Sequence, residues 1–337
     1  MRRRGWIRSA LAGMAAVTLL AGCSSTDDAS GKPTIEPPSP AIAPAATVAP
    51  AGDVVASAPI RLLLSEPSTG VLGAVHGTDD RTLHLVDPAT KADRPVALGG
   101  SAASLAVGEP GELLVALPGQ VLRVDVATGR TTAVTVDGDA RSVAVRGDGL
   151  VVGLANGKVL LLDANGAVQQ TISGLVSADV VDAADEHVVV LDRRQTLISE
   201  LNLSDERVGL SLRAGDGAVA MIGDHYGRRI VADTAGRELL VYTADPLVLH
   251  QRFPVGSSPY ALAYDQRSET AWVTLTGSNE VVGYDLSTGI PVEVGRYPTV
   301  RQPDSVTIDS RTGDMFVGSA TGDGLQRIAA DQRKRGQ

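Results

Sequence analysis

Pro259-Tyr260-Ala261-Leu262-Ala263-Tyr264-Asp265 is followed by Ala271-Trp272-Val273-Thr274, and then by Ser278-Asn279-Glu280-Val281-Val282-Gly283-Tyr284-Asp285. Each run is short, apolar and rich in β-branched or aromatic residues, and polar turn clusters separate them. That pattern reads as three successive strands, with no period-3.6 stripe to suggest a helix. The first run has equivalents along the chain: Arg61-Leu62-Leu63-Leu64, Ser104-Leu105-Ala106-Val107, Ser142-Val143-Ala144-Val145, Asp179-Val180-Val181-Asp182, Ala218-Val219-Ala220-Met221 and Ser305-Val306-Thr307-Ile308. With the first run quoted counted from Ala261, successive starts lie 43, 38, 37, 39, 43 and 44 residues apart. A period of about 40 residues with four short strands per unit is the mark of a β-propeller. The expected fold is therefore all-β: a seven-bladed β-propeller of four-stranded blades over residues 52–330.

The third strand of a unit commonly ends in Asp before a turn, as in Val86-Asp87-Pro88, Val124-Asp125-Val126, Leu162-Asp163-Ala164 and Tyr284-Asp285-Leu286. A carboxylate there accepts hydrogen bonds from the N–H groups of the turn, so these residues read as structural and not as metal ligands. The last unit supplies only three strands before the chain turns polar at Ala330. An open blade edge is a liability. Asp53-Val54-Val55-Ala56-Ser57 is placed to fill it, so closure of the ring by an N-terminal strand is expected.

The stretch from Pro259 to Asp285 resembles the YVTN-type repeat, with Trp272 in place of its Tyr and Leu275 in place of its Asn. Pro303-Asp304-Ser305-Val306 to Met315-Phe316-Val317 is a weaker match. The body thus resembles the YVTN/NHL-type, WD40-like β-propellers. The resemblance implies an architecture and no ligand. Lactonases of the SMP-30 type, quinoprotein dehydrogenases and streptogramin lyases are propeller enzymes, but none of their motifs is present.

The N-terminus carries a different signal. Arg2, Arg3, Arg4 and Arg8 precede an apolar run, Ala10 to Ala21, which ends in Leu20-Ala21-Gly22-Cys23. Basic, apolar and small-residue regions in that order make a secretory signal, and the run is too short for a spanning helix of about 20 residues. Leu-Ala-Gly-Cys is the form of a bacterial lipobox, so residues 1–22 are expected to be removed and Cys23, the only cysteine, lipidated. This implies a lipoprotein whose acyl chains (palmitate among them) hold it to the extracytoplasmic face of the cell membrane. With Arg far in excess of Lys, and abundant Ala, Val and Gly, the chain is similar to lipoproteins of actinobacterial type. Residues 23–51, with Pro33, Pro37, Pro38, Pro40, Pro44 and Pro50, read as a semi-rigid tether, and 331–337 as a polar, solvated tail.

Charge narrows the partners. Loss of residues 1–22 removes four arginines and no acid, so 30 basic and 39 acidic residues become 26 and 39. A surplus of acids argues against nucleic acid, whose binding needs a basic footprint. It argues equally against a polybasic grip on lipid, which leaves Cys23 as the membrane contact. With Cys23 acylated no thiol remains. The five histidines, at 76, 84, 187, 225 and 250, read as falling in different units, with no His-x₃-His or HExxH spacing. No cofactor or metal is implied, no catalytic residue is assigned, and a monomer is expected.

A propeller can still gather a site from distant residues. Side chains at the start of each innermost strand converge on the central channel. Here they include Arg61, Arg141, Asp179, Tyr260, Asp304 and Ser305, a set suited to a polar or anionic ligand or to a hydrogen-bonded hub. The expected role is a protein- or ligand-binding scaffold with an envelope protein or small ligand as partner. The alternative is an extracytoplasmic hydrolase or lyase working in the channel.

Overall fold

Alternation of apolar and turn-forming residues produces antiparallel four-stranded sheets throughout the computed structural model, which describes residues 32–184, 187–244 and 246–333. Cys23, the signal segment and residues 334–337 lie outside these. The sheet 259–298 shows the plan: Pro259–Asp265, Thr270–Leu275, Glu280–Asp285 and Val292–Pro298 pair in sequence order from the channel outward. Sheets 60–97, 180–213 and 218–254 repeat it. The innermost strand of each sheet neighbours that of the next, and Pro303–Ile308 returns beside Ile60–Ser65 to close a ring.

The chain is an all-β propeller, but among the described residues its sheets number six and not the seven expected. Residues 104–172 form a single six-stranded sheet: Ser104–Val107, Glu112–Asp125, Thr131–Arg146, Gly149–Leu154, Val159–Leu162 and Val168–Ile172. The physical reason is continuity of the backbone ladder. Elsewhere a loop separates the outer strand of one unit from the inner strand of the next. Thr131–Arg146 instead runs on unbroken, pairing first with Glu112–Asp125 and, from Ala140, with Gly149–Leu154. Glu112–Asp125 is itself folded back on itself. An extended strand would hold Glu112 and Arg123 about 37 Å apart, at about 3.4 Å per residue. Their side chains form an ion pair at 3.0 Å, and the reversal falls at Pro118-Gly119, where Gly119 has φ of 81°. A repeat spacing counts strand starts; it does not register where the ladder fails to break.

Burial explains the composition of each strand. The second strands are buried on both faces, so Thr270–Leu275 and Met315–Ser319 read as continuous apolar runs. Val292–Pro298, on the rim, is exposed or half-buried throughout and mixed in character. Between sheets the apolar side chains interdigitate, as where Ile230, Val241, Val273 and Val282 meet. A buried side chain of this kind contributes roughly 1.5–3 kcal/mol.

Closure of the ring follows expectation. Asp53–Val55 pairs antiparallel with Leu325–Ile328, Val54 opposite Gln326, and completes the sixth sheet as its outer strand. Gln326 is fully buried and secures this junction: its Nε2 donates to the carbonyls of Ala51 (2.7 Å) and Pro298 (3.0 Å), and its Oε1 accepts from the Val300 N–H. Residues 33–51, read from the sequence as a tether, are extended but seated on the ring, from the Ile35 N–H on the Arg194 carbonyl to the Ala51 N–H on the Pro298 carbonyl. Arg333, the last described residue, is seated too. Arg333 pairs with Asp265 at 3.2 Å, both nearly fully buried, with its guanidinium 5.2 Å above the Trp272 ring.

Glu66 joins the first two sheets by a device the sequence did not announce. Its carboxylate accepts from the N–H groups of Ser68, Thr69 and, across the gap, Gly111, as well as from the hydroxyls of Ser68 and Thr69. Burial pushes this carboxyl up, but the five hydrogen bonds outweigh it and hold its pKa down to about 2. A depressed carboxyl stabilises the fold above its unfolded pKa of about 4.3, and that contribution fades as pH falls toward 2. The variant Glu66→Gln is expected to melt lower than the parent at pH 7, with the gap closing at pH 3; a gap independent of pH would contradict this role. Deletion of residues 52–58 is expected to lower the melting temperature by many degrees, and an unchanged melt would contradict closure by that strand.

Candidate functional site at the channel mouth

Several innermost strands carry an irregularity at their first residues, while Ser104–Val107 and Val180–Ala184 pair without one. Ladder register breaks between Ile60 and Leu62, Ala140 and Ser142, Pro259 and Leu262, and Pro303 and Ser305. The residues skipped include Arg61, Arg141, Tyr260 and Asp304. A bulge leaves its extra residue unpaired and re-aims the side chain, and here it turns polar side chains out of the inter-sheet packing. Four of the six residues expected at the channel are therefore bulge residues.

Three of those bulge and strand-start residues come together with a fourth that sequence reasoning missed. Arg193, in the turn after His187–Asp192, brings its positive charge to the Tyr260 hydroxyl. Tyr260 also lies within electrostatic reach of Asp304 and Arg61. Asp304 accepts a hydrogen bond from Gln302 Nε2 at 2.9 Å. Arg61 donates to the Ala102 carbonyl and feels the charge of Asp80. Asp179 is linked to the same group, its Oδ2 accepting from the Arg193 N–H (2.9 Å) and the Ser177 hydroxyl. The result is a polar cap over the channel built from four sheets. The signal for Arg193 was the doubled Arg193-Arg194 in the turn between two apolar strands.

The other two expected residues stand apart. Arg141 is exposed and paired with Asp139 at 2.9 Å. Ser305 is back in register opposite Gly318, buried, with its Oγ directed over Gly318 beside Ile60. The bulge at Asp304 explains the difference: side chains alternate along a strand, and one skipped residue returns Ser305 to the packed face.

Electrostatics follow burial. Loss of water pushes Tyr260 up, with Asp304 adding to the effect while Arg193 and Arg61 oppose it. Burial also lowers the Arg61 guanidinium, against the pull of Asp80 and Tyr260. Asp304 is raised by burial to about 6, and its bond from Gln302 only partly offsets this.

Elsewhere the turn aspartates behave as read. Asp87, Asp125, Asp163 and Asp285 accept from the N–H groups of Ala89, Thr128, Asn165 and Ser287 at 2.7–2.9 Å. The histidines are less scattered than their spacing suggests. His76 and His84 both belong to the first sheet and stack at 4.2 Å, with Asp93 at 3.0 Å from His84 Nδ1. His225 lies against Tyr226 and Tyr264. Among the described residues no group of three or more His, Cys, Asp or Glu side chains is arranged to hold a metal ion.

Comparison with known proteins adds to the fold alone. No protein-family model matches the chain, and no curated protein matches it in sequence. Solved structures do match in shape. A chain of the Kuenenia stuttgartiensis hydrazine synthase superposes with a TM-score of 0.68 at 13% identity, over 85% of this chain and 98% of that one. A chain of the mitotic checkpoint complex gives 0.67 at 12%, over 95% and 99%. A streptogramin B lyase gives 0.66 at 10%, over 83% and 96%.

The state of Asp304 is testable through stability. A carboxyl whose pKa is raised on folding binds its proton more tightly in the native state, so stability falls as pH rises from about 4, its unfolded value, to 6. The parent is therefore expected to gain melting temperature relative to Asp304→Asn when pH drops from 7.5 to 4.5. Parallel pH profiles for the two proteins would contradict a buried, proton-holding Asp304.

Proposed function

We propose that the protein is a lipid-anchored, extracytoplasmic propeller that serves as a binding or scaffold module. The anchor reading rests on Leu20-Ala21-Gly22-Cys23 at the end of a basic-then-apolar segment. A single acyl chain binds a membrane only marginally, whereas the several chains of a bacterial lipoprotein hold firmly. The partner expected is an envelope protein or a small polar ligand.

The observation that carries the binding reading is the cap itself. Gln302 is committed to Asp304, Arg61 to the Ala102 carbonyl and Asp179 to Ser177 and the Arg193 backbone, while the Arg193 charge faces Tyr260. Polar groups engaged with one another stiffen a surface and present it to a partner. Fold likeness does not choose between roles, since the matched structures include two enzymes and one assembly.

One observation favours the second reading, an enzyme of hydrolase or lyase type. Asp304, poised at about 6 in a partly buried cap, has the titration range of a general acid or base.

Expression with an alkyne-tagged fatty acid tests the anchor. Label is expected on the parent, which sediments with membranes, and is lost from Cys23→Ala, which becomes soluble. Equal labelling, or membrane retention of Cys23→Ala, would contradict it.

A further inference from the structure

Residues 33–44 cross the rim of the ring beside the cap, and they do so in the manner of a bound peptide. Gln195 Nε2 donates to the Pro33 carbonyl (3.4 Å), and the Ile35 N–H donates to the Arg194 carbonyl (2.8 Å). Pro38 lies against Gly217, where a Cβ would come within 2.3 Å of the proline Cγ. The Ala41 N–H donates to Ser258 Oγ (2.9 Å), and its carbonyl accepts from Gln302 Nε2 (2.9 Å). The Ala43 N–H donates to Gln302 Oε1 (2.9 Å), its carbonyl accepts from Arg301 Nε (3.3 Å), and the Pro44 carbonyl accepts from Asn279 Nδ2 (3.0 Å).

Three features mark this as a built groove. The ring supplies side-chain donors and acceptors to backbone groups of the segment, while the segment's own side chains are small or point outward: Ala43 is buried, but Ile42 is 89% exposed. Such recognition reads an extended, proline-rich backbone and not a unique sequence. Ser258, Asn279 and Gln302 all hold positive φ, at 56°, 54° and 54°. That left-handed backbone costs a non-glycine residue energy and gathers at binding sites, where the side chain is needed. Finally, Gln302 Nε2 serves two masters, the Ala41 carbonyl and Asp304 Oδ1. Occupancy of the groove is thereby tied to the cap.

We infer that this rim is a peptide-binding groove for extended proline- and alanine-rich segments, filled in cis by residues 33–44 and open to the same kind of segment from a partner protein when they leave. This gives a partner class to the binding-module reading and rests on it only for the existence of a partner. The groove's chemistry stands or falls without the lipid anchor.

The test keeps the full chain. A site-specific protease sequence is inserted between Thr47 and Val48, which are exposed, and the purified protein is cut. Fluorescence anisotropy then follows uptake of a labelled peptide carrying residues 33–44, and of the same peptide with its prolines replaced by glycine. The cut protein is expected to exchange its own fragment for the proline peptide saturably, and to bind the glycine version more weakly. Gln302→Gly, which keeps the left-handed backbone without strain, removes two hydrogen bonds to the segment and is expected to weaken uptake by about tenfold or more. A cut protein that keeps its circular dichroism yet takes up no peptide would overturn the inference. So would a fragment that a large excess of peptide fails to displace, or equal uptake by Gln302→Gly.

Discussion

Everything in this molecule depends on closing a ring of sheets with the two ends of the chain. A propeller sheet buries both faces only when it has a neighbour on each side, so one missing edge exposes an interface on which the adjoining sheets also rely. Here the last sheet lacks its outer strand until Asp53–Val55 arrives beside Leu325–Ile328. A single buried amide, Gln326, ties the arriving segment at Ala51 to the neighbouring sheet at Pro298. Because the closing strand comes from the N-terminal side, residues just ahead of it are delivered to the ring's rim. The seating of 33–51 is a consequence of how the ring closes.

The same geometry builds the polar cap. Inner strands start at the channel, and bulges at those starts free one side chain each from the inter-sheet packing. Arg61, Tyr260 and Asp304 are released in this way, and the turn bearing Arg193 reaches across to meet them. Gln302 then joins the cap to the segment on the rim. Stability, cap and groove are thus three results of one chain path.

Much of this was legible in the sequence, for definite reasons. Strand starts recur because the inner and second strands are buried and must be apolar. The closing strand was legible because the last unit ran out of strands while Asp53-Val54-Val55 had none to pair with. The number of sheets was not, because Thr131–Arg146 looks like two strands in composition and is continuous in hydrogen bonding. Ser305 was misplaced because alternation, counted without the bulge at Asp304, is off by one. The rim segment was invisible as a bound element. It buries almost no apolar side chain, and its partners Ser258, Asn279 and Gln302 are ordinary turn residues until their φ angles are known.

Amide hydrogen exchange on the intact chain tests the central claim that the segment before the closing strand belongs to the ring. The Ile35, Ala41 and Ala43 N–H groups, each bonded to the ring, should be protected well beyond the rate of a free chain. They should open independently of Val54 in the closing strand. Exchange of all three at the free-chain rate, with Val54 still protected, would show a propeller that closes as described but carries these residues as a loose tether.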